Sequence, residues 1–156
     1  MNIDLSPIQN IAKQIIELYR LQLDKDGINA SGNLSNNIKS IVELNDTRLI
    51  ISLELEDYWK FVEYGRGPGK MPPIDVIEQW IKIKPVIPEP INGRVPDTRQ
   101  LAFLIARKIG REGTVGRYPI EKIKKSDSMK TIIDDVKREL VRQIKQQFSE
   151  NTLQTL

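Results

Sequence analysis

The sequence of 156 residues contains neither cysteine nor histidine. Without cysteine the chain has no disulfide, no thiolate nucleophile and no zinc site built on cysteine. Without histidine it lacks the side chain best suited to acid–base chemistry near neutral pH and the commonest metal ligand. Aromatic residues are few, at 6%. No basic-then-apolar leader and no long apolar run is present, so we expect neither a secretion signal nor a membrane span.

The groups left for catalysis are scattered carboxylates and lysines. Glu54, Glu56 and Asp57 form the closest acidic cluster and offer oxygen ligands for a cation, but they lack the glycines and spacing of a calcium loop. Residues 65–70 resemble a phosphate-binding loop in their glycines and in Lys70, but the spacing differs, no Ser or Thr follows Lys70, and Pro68 removes an amide donor. The sequence therefore predicts no enzymatic activity, no cofactor and no metal site.

The composition, with 39% hydrophobic and 29% charged residues, is typical of one globular domain. We expect a single domain over residues 1–149 and a flexible tail at 150–156. Residues 1–98 contain 11 basic and 14 acidic side chains, whereas residues 99–156 contain 13 and 7, so the two parts have formal charges of −3 and +6. This asymmetry suits head-to-tail contact between copies or attraction of a polyanion, and a solvated basic surface is the third interpretation.

Apolar residues at helical spacing predict long helices at both ends of the chain. Ser6 as N-cap and Pro7 at the first helical position begin the first helix, which ends near Asp26-Gly27. The last helix begins at Ser126 or Asp127 and has an apolar stripe of Met129, Ile132, Ile133, Val136, Leu140, Ile144 and Phe148.

Residues 38–44 and 48–55 are rich in Ile, Val and Leu and flank Asn45-Asp46, a pair suited to a tight hairpin turn. Two strands alone are marginal, so we expect a third, either from residues 58–64 or from another subunit. The predicted fold is α+β, with a small antiparallel sheet packed by the N- and C-terminal helices and with projecting loops rich in Pro and Gly.

Two further helices are predicted after the sheet region. Pro73 opens a short helix, and residues 84–96 follow it as an extended loop with four prolines. Asp97 and Gln100 form a capping box for the next helix, which Gly110 and Gly113 end.

The loop before the short helix combines residues that set backbone shape. Glycine permits positive φ and close approach of another backbone, whereas proline fixes φ. We therefore predict a partner-binding loop, with a rigid connector as the alternative interpretation. The loop consists of Gly65, Arg66, Gly67, Pro68, Gly69, Lys70, Met71, Pro72 and Pro73.

This region also resembles a known family. Tyr58-Trp59-Lys60-Phe61-Val62-Glu63-Tyr64-Gly65, followed by Lys70-Met71-Pro72, is similar to the signature of the tail-completion (neck) proteins of long-tailed bacteriophages. Two more blocks resemble the family in the same order, Ser31-Gly32-Asn33-Leu34 before it, and Leu101 to Ile109 with Glu112-Gly113-Thr114 after it. The chain departs from the pattern by inserting residues 74–96 and by ending in a long helix.

The resemblance implies a non-catalytic structural protein of the phage neck. Such a subunit forms a ring with copies of itself and joins the capsid portal or connector to the tail. Its partners would be those neighbouring neck and tail proteins, with possible non-specific contact with DNA in the channel and none with a membrane. Its location would be the virion, and the host cytoplasm during assembly.

The basic half of the chain offers a second candidate surface. Residues three to four apart on a helix share a face, and four cations of the last helix do so, namely Lys137, Arg138, Arg142 and Lys145. This face is expected to contact another subunit or the phosphates of DNA. The alternative function is a small basic DNA-binding protein, in which residues 100–110 and Lys122, Lys124 and Lys125 belong to a helix-turn-helix-like segment.

Overall fold

The computed structural model describes residues 3–28, 32–45, 48–84 and 86–153. The helices in these ranges are α1 (Ser6–Lys25), α2 (Asn33–Asn36), α3 (Trp59–Tyr64), α4 (Ile74–Ile83), α5 (Thr98–Glu112), α6 (Pro119–Lys124) and α7 (Asp127–Leu153). The strands are β1 (Lys39–Asn45), β2 (Arg48–Glu54), β3 (Gly65–Arg66) and β4 (Thr114–Val115). β1 pairs with β2 and β3 with β4, both antiparallel. The predicted α+β class is confirmed.

Helix α1 is the centre of the core. Its buried side chains recur every three to four residues, as expected for a helix with one apolar face, and they are Ile8, Ala12, Ile16, Tyr19 and Leu23. This face packs against β1, α6 and α7. Leu34, Ile38 and Ile123 complete the central cluster. The small sheet and the C-terminal helix are therefore joined through α1.

The predicted cap of α1 is wrong by one position. Ser6 is the first helical residue, Leu5 occupies the N-cap position, and no side chain of that residue caps the helix. The Asp4 carboxylate instead accepts a hydrogen bond from the Ser6 N–H (2.9 Å). At the other end, Ser126 is the cap of α7, because its hydroxyl oxygen accepts the N–H of Met129 (3.2 Å).

The hairpin forms as predicted, with Asn45 opposite Arg48 in the register. Asp46 of the predicted turn lies outside the described residues. The expectation of a third strand at residues 58–64 is wrong, because α3 occupies most of this segment. A stretch of aromatic and aliphatic residues suits both structures, and here the helix places Trp59 and Val62 against the core. A third strand from another subunit stays a prediction.

Helices α4 and α5 pack mainly on each other. The predicted capping box of α5 is confirmed, with the Asp97 carboxylate accepting the Gln100 N–H (2.8 Å) and the Gln100 side chain accepting the Asp97 N–H (3.1 Å). Gly113 ends α5, but Gly110 lies inside the helix, so its predicted role as a terminator is wrong. Between the two helices, residues 86–90 have no regular secondary structure, and a backbone bridge closes the turn from Ile91 to Arg94.

Helix α7 extends to Leu153, and the remaining residues of the predicted tail lie outside the described ranges. The single-domain boundary stays a prediction. On α7 the predicted apolar stripe is buried in part: Ile132 and Val136 face the core, whereas Ile133 and Phe148 are exposed. Among the described helices, none combines the length and apolar character needed to cross a bilayer.

Candidate functional site

The glycine-containing loop begins where two distant segments of the chain meet. Gly65 and Arg66 pair with β4 as strand β3. A few residues later, the Gly69 N–H donates a hydrogen bond to the Gly110 carbonyl oxygen at the end of α5 (2.8 Å). We call this meeting of residues 63–69 with residues 110–116 the glycine junction.

Several glycines of the junction leave no room for a side chain. A Cβ atom on Gly65 would lie 2.2 Å from a carbonyl oxygen of β4. A Cβ atom on Gly113 would lie 2.1 Å from the carbonyl oxygen of Arg66, and one on Gly116 would lie 2.3 Å from that of Glu63. Because these contacts are with backbone atoms, no side-chain movement relieves them. The junction glycines are therefore required for the two segments to pack.

From Gly67 onward the loop is open to solvent. Within the described part of the chain, a Cβ atom added to Gly67 or Gly69 would meet no atom within 4 Å beyond the adjacent residues. The Arg66 guanidinium donates to the carbonyl oxygen of Lys70, which closes the loop on itself. Residues 67–71 are exposed, and Pro73 is the N-cap of α4. The loop thus connects β3 to α4 and also presents an exposed tip, so both interpretations of it remain and partner binding stays a prediction.

Glu63, directly before the junction, has a role that sequence reasoning missed. Its side chain is buried, with 3% exposure. One carboxylate oxygen accepts the N–H of Ile120 (2.9 Å) and the other accepts the N–H of Glu121 (3.1 Å). Both amides belong to the first turn of α6, where backbone N–H groups have no partner within the helix. Glu63 therefore fixes α6 to α3.

The core beside Glu63 contains a second unusual polar group. The Tyr19 hydroxyl is buried and has no hydrogen-bond partner among the described residues. Burial, with the Glu63 charge as the next contribution, raises the pKa of Tyr19 to about 12. The phenol therefore stays neutral at physiological pH.

Three aromatic rings next to Glu63 surround a pocket of about 350 Å³, which we call the aromatic pocket. The centroids of Trp59 and Tyr64 are 6.3 Å apart, and those of Tyr64 and Tyr118 are 6.4 Å apart with nearly perpendicular planes. Tyr64 is 64% exposed. The wall is completed by Glu63 and by three residues of α6, Ile120, Glu121 and Lys124. The pocket offers apolar ring faces with polar groups at its edge.

The predicted basic face of α7 is exposed but largely paired within its own helix. Lys137, Arg138 and Arg142 each form an ion pair with an acidic residue three positions earlier. The hydrogen bond from Arg142 is the main reason that the pKa of Glu139 falls to about 2. For Lys145 the described part of the chain provides no ion pair. The structure thus brings the four cations to one exposed helix, with their charge partly neutralised.

The acidic side chains Glu54, Glu56 and Asp57 lie at and just after the end of β2. Glu56 accepts a hydrogen bond from the Asn37 side chain (2.7 Å). In residues 3–28, 32–45, 48–84 and 86–153, no group of acidic side chains is arranged to hold a metal ion.

Comparison with protein-family models, with curated proteins and with solved structures finds no match to this chain. The resemblance to phage neck proteins therefore stays a prediction.

The missed residues differ in whether the sequence contained a signal for them. The ion pairs of α7 follow an acid-then-base spacing of three residues, which was present in the sequence. The contacts of Glu63 join residues 57 and 58 positions apart, and no local pattern indicates them. No local pattern indicates the aromatic pocket either, because Trp59 and Tyr64 come from one region of the sequence and Tyr118 from another more than fifty positions later.

Proposed function

We propose that this chain is a structural subunit of a phage neck, which forms a ring with copies of itself and joins the portal or connector of the head to the tail. It acts without catalysis, in the virion, after assembly in the host cytoplasm. The proposal rests on the resemblance of three ordered sequence blocks, and the fold adds two kinds of support.

The main structural support is the distribution of exposed apolar side chains. A ring requires two different complementary patches on each subunit, because neighbouring copies meet head to tail. One group of exposed side chains lies on α4 and the following loop and includes Val76, Ile83 and Ile87. Another lies on α7 and includes Ile133, Val141 and Phe148. Large apolar side chains are also exposed elsewhere, for example Ile50 on the hairpin and Phe103 on α5, and where such side chains form a contiguous surface they favour protein contacts.

The second support comes from the glycine junction. Two of the blocks that resemble the family, around Gly65 and around Gly113, are 48 positions apart in sequence and contact each other in space. Segments that share one structural role are expected to occur together in order. This contact is consistent with a single motif made of both blocks.

The DNA-binding alternative has one feature in its favour, the consecutive helices α5 and α6. Their connection covers residues 113–118 and includes β4, which is longer than the turn of three to four residues in helix-turn-helix proteins. Two of the expected cations are also engaged, since Lys122 pairs with Asp26 (2.7 Å) and Lys125 with Glu121 (2.8 Å). We therefore rank this function second.

Particles provide the direct test of the neck function. Mass measurement of purified virions should detect the chain, and images should place it between head and tail. A chain that is absent from particles but present in the infected cell would contradict the proposal and favour the DNA-binding alternative.

The basic face of α7 can be tested with Arg138→Glu plus Arg142→Glu, scored for oligomer mass and for salt-dependent DNA binding. We expect the ring to break and DNA affinity to stay unchanged, because a channel through which DNA slides is poorly served by strong phosphate binding. Lys130→Glu is the matched control, since Lys130 is also paired on α7 (2.7 Å to Asp127). An intact oligomer that has lost DNA binding would show that the face contacts DNA instead of another subunit. If neither the oligomer mass nor the DNA binding changes, the face is solvated surface.

A further inference from the structure

Residues 86–90, which we call the strap, expose an apolar side chain on a stiff backbone. Ile87 is 91% exposed. Ile87 and Glu89 each precede a proline, and this restricts both to extended or polyproline II conformations. With the preceding residue the strap has the sequence Pro85-Val86-Ile87-Pro88, a P-x-x-P pattern. Such a segment loses little conformational entropy when it binds.

The aromatic pocket has the surface that polyproline II segments bind. Proteins that recognise P-x-x-P segments do so with grooves lined by aromatic rings. Here the rings of Tyr64 and Tyr118 lie edge to face and are both exposed. The strap does not line this pocket within its own chain. The pocket and the strap are therefore two open surfaces of one molecule.

Charge favours the same pairing. Lys124 lines the pocket, and Glu89 lies in the exposed strap between two prolines. Neither residue forms a salt bridge within the described ranges, although the pKa of Glu121 is lowered by its hydrogen bond from Lys125 and, to a smaller extent, by the Lys124 charge. The acidic groups of the pocket are already engaged, since Glu63 binds two backbone amides and Glu121 pairs with Lys125. Because Glu63 is buried and Glu121 is paired with Lys125, Lys124 is the exposed charge of the pocket lining without a salt bridge in the described ranges, and it is opposite in sign to Glu89 of the strap.

We propose that the strap of one copy docks in the aromatic pocket of the next copy. Ile87 and Pro88 cover the rings of Tyr64 and Tyr118, and Glu89 meets Lys124. Because the two surfaces differ, the contact is head to tail and can close into a ring. This contact rests on the proposed function and adds the strap and the aromatic pocket to the α7 face as surfaces through which copies join.

A peptide of residues 85–96, which contains both prolines of the P-x-x-P pattern, tests the recognition itself. In a Trp80→Phe protein, Trp59 in the pocket is the remaining tryptophan, and its fluorescence should change as the peptide is added. Tyr64→Ala should weaken peptide binding about tenfold, as expected for a central aromatic contact. Phe61→Ala is the matched control, because Phe61 is exposed on the same helix and does not line the pocket. No fluorescence change, or equal weakening by both variants, overturns the proposal.

A charge exchange tests the contact in the whole chain. By sedimentation, Glu89→Lys and Lys124→Glu should each lower the oligomer mass, and the chain with both substitutions should recover it, because the pair is restored with opposite signs. A ring that none of these variants affects overturns the strap contact and leaves the proposed ring standing. A wild-type chain that stays monomeric contradicts the proposed ring, and the Tyr64-dependent binding of the peptide then decides the recognition separately.

Discussion

Removing the Glu63 carboxylate should destabilise the whole fold rather than one loop. Glu63 lies on α3, and its two oxygens bind consecutive amides at the start of α6. Helix α6 packs on α1, where Ile123 enters the central cluster. Glu63→Ala therefore unpairs both amides and loosens the attachment of α6 to the core.

The expected size follows from the two hydrogen bonds. A hydrogen bond to a charged group contributes about 1.5–3 kcal/mol, and water that enters the space left by the side chain recovers part of it. We expect Glu63→Ala to lower the free energy of unfolding by about 2–4 kcal/mol, a large share of the 5–15 kcal/mol typical of a domain. Glu63→Gln should lower it by roughly half as much, because one oxygen remains while its amide group faces a backbone N–H.

Urea denaturation followed by circular dichroism measures the effect. The control is Glu121→Gln, which removes an exposed carboxylate from the same pocket and leaves the Glu63 hydrogen bonds intact. Its denaturation midpoint should match that of the wild type. A Glu63→Ala protein whose unfolding free energy stays within about 0.5 kcal/mol of the wild type would refute the capping role, because a loss that small is expected of an ordinary surface change.

Three further predictions concern other positions. Gly113→Ala should unfold at a clearly lower urea concentration than the wild type, because its Cβ would lie 2.1 Å from a backbone oxygen. Gly67→Ala, whose Cβ would meet no atom within 4 Å, should unfold like the wild type. Equal denaturation midpoints for the two variants would contradict the requirement for glycine at the junction. The fold raises the pKa of Tyr19 from 10 to about 12, so the stability that this shift contributes is complete below pH 10 and is lost as the pH rises to about 12. In denaturation curves measured at several pH values, Tyr19→Phe should remove this decline. A decline that persists in the variant would come from other groups. Gln143→Ala should lower the free energy of unfolding, measured by urea denaturation, by about 1–2 kcal/mol. The buried amide of Gln143 accepts a hydrogen bond from the Asp4 N–H (2.8 Å) and donates one to the Asp4 carbonyl oxygen (2.9 Å). An unchanged denaturation midpoint would mean that these two hydrogen bonds do not stabilise the fold.

The elements that the sequence predicted correctly depend on neighbours in the chain. The capping box needs only Asp97 and Gln100, three residues apart, and the hairpin needs two apolar runs with a turn between them. Both signals are local, so no knowledge of the tertiary fold was required. The helix starting after Pro73 is of the same kind.

The predictions that were wrong concern elements whose structure depends on tertiary contacts with distant parts of the chain. Residues 58–64 have the apolar content of a strand or a helix, and packing of Trp59 and Val62 on the central cluster favours the helix. Gly110 was expected to end α5, yet it continues the helix because a residue without a side chain fits there. A Cβ atom at this position would lie 3.1 Å from the Cα atom of Met71, in a segment 39 positions away. Tertiary contact therefore overrides the local preference of glycine.

The glycines of the loop region belong to two groups, and only one of them can report on a partner. Gly65 and Gly113 are required by backbone contacts within the chain, so a motif that retains them indicates a shared fold and says little about what the protein binds. Gly67 and Gly69 have free space around them, although the φ of Gly69 is 159°, a value that residues with a side chain rarely adopt. If substitution of both by valine leaves the circular-dichroism spectrum unchanged but blocks assembly, the loop tip contacts a partner. If assembly survives as well, the loop is a connector, and the remaining candidate surfaces for the ring are those of α4, α7, the strap and the aromatic pocket.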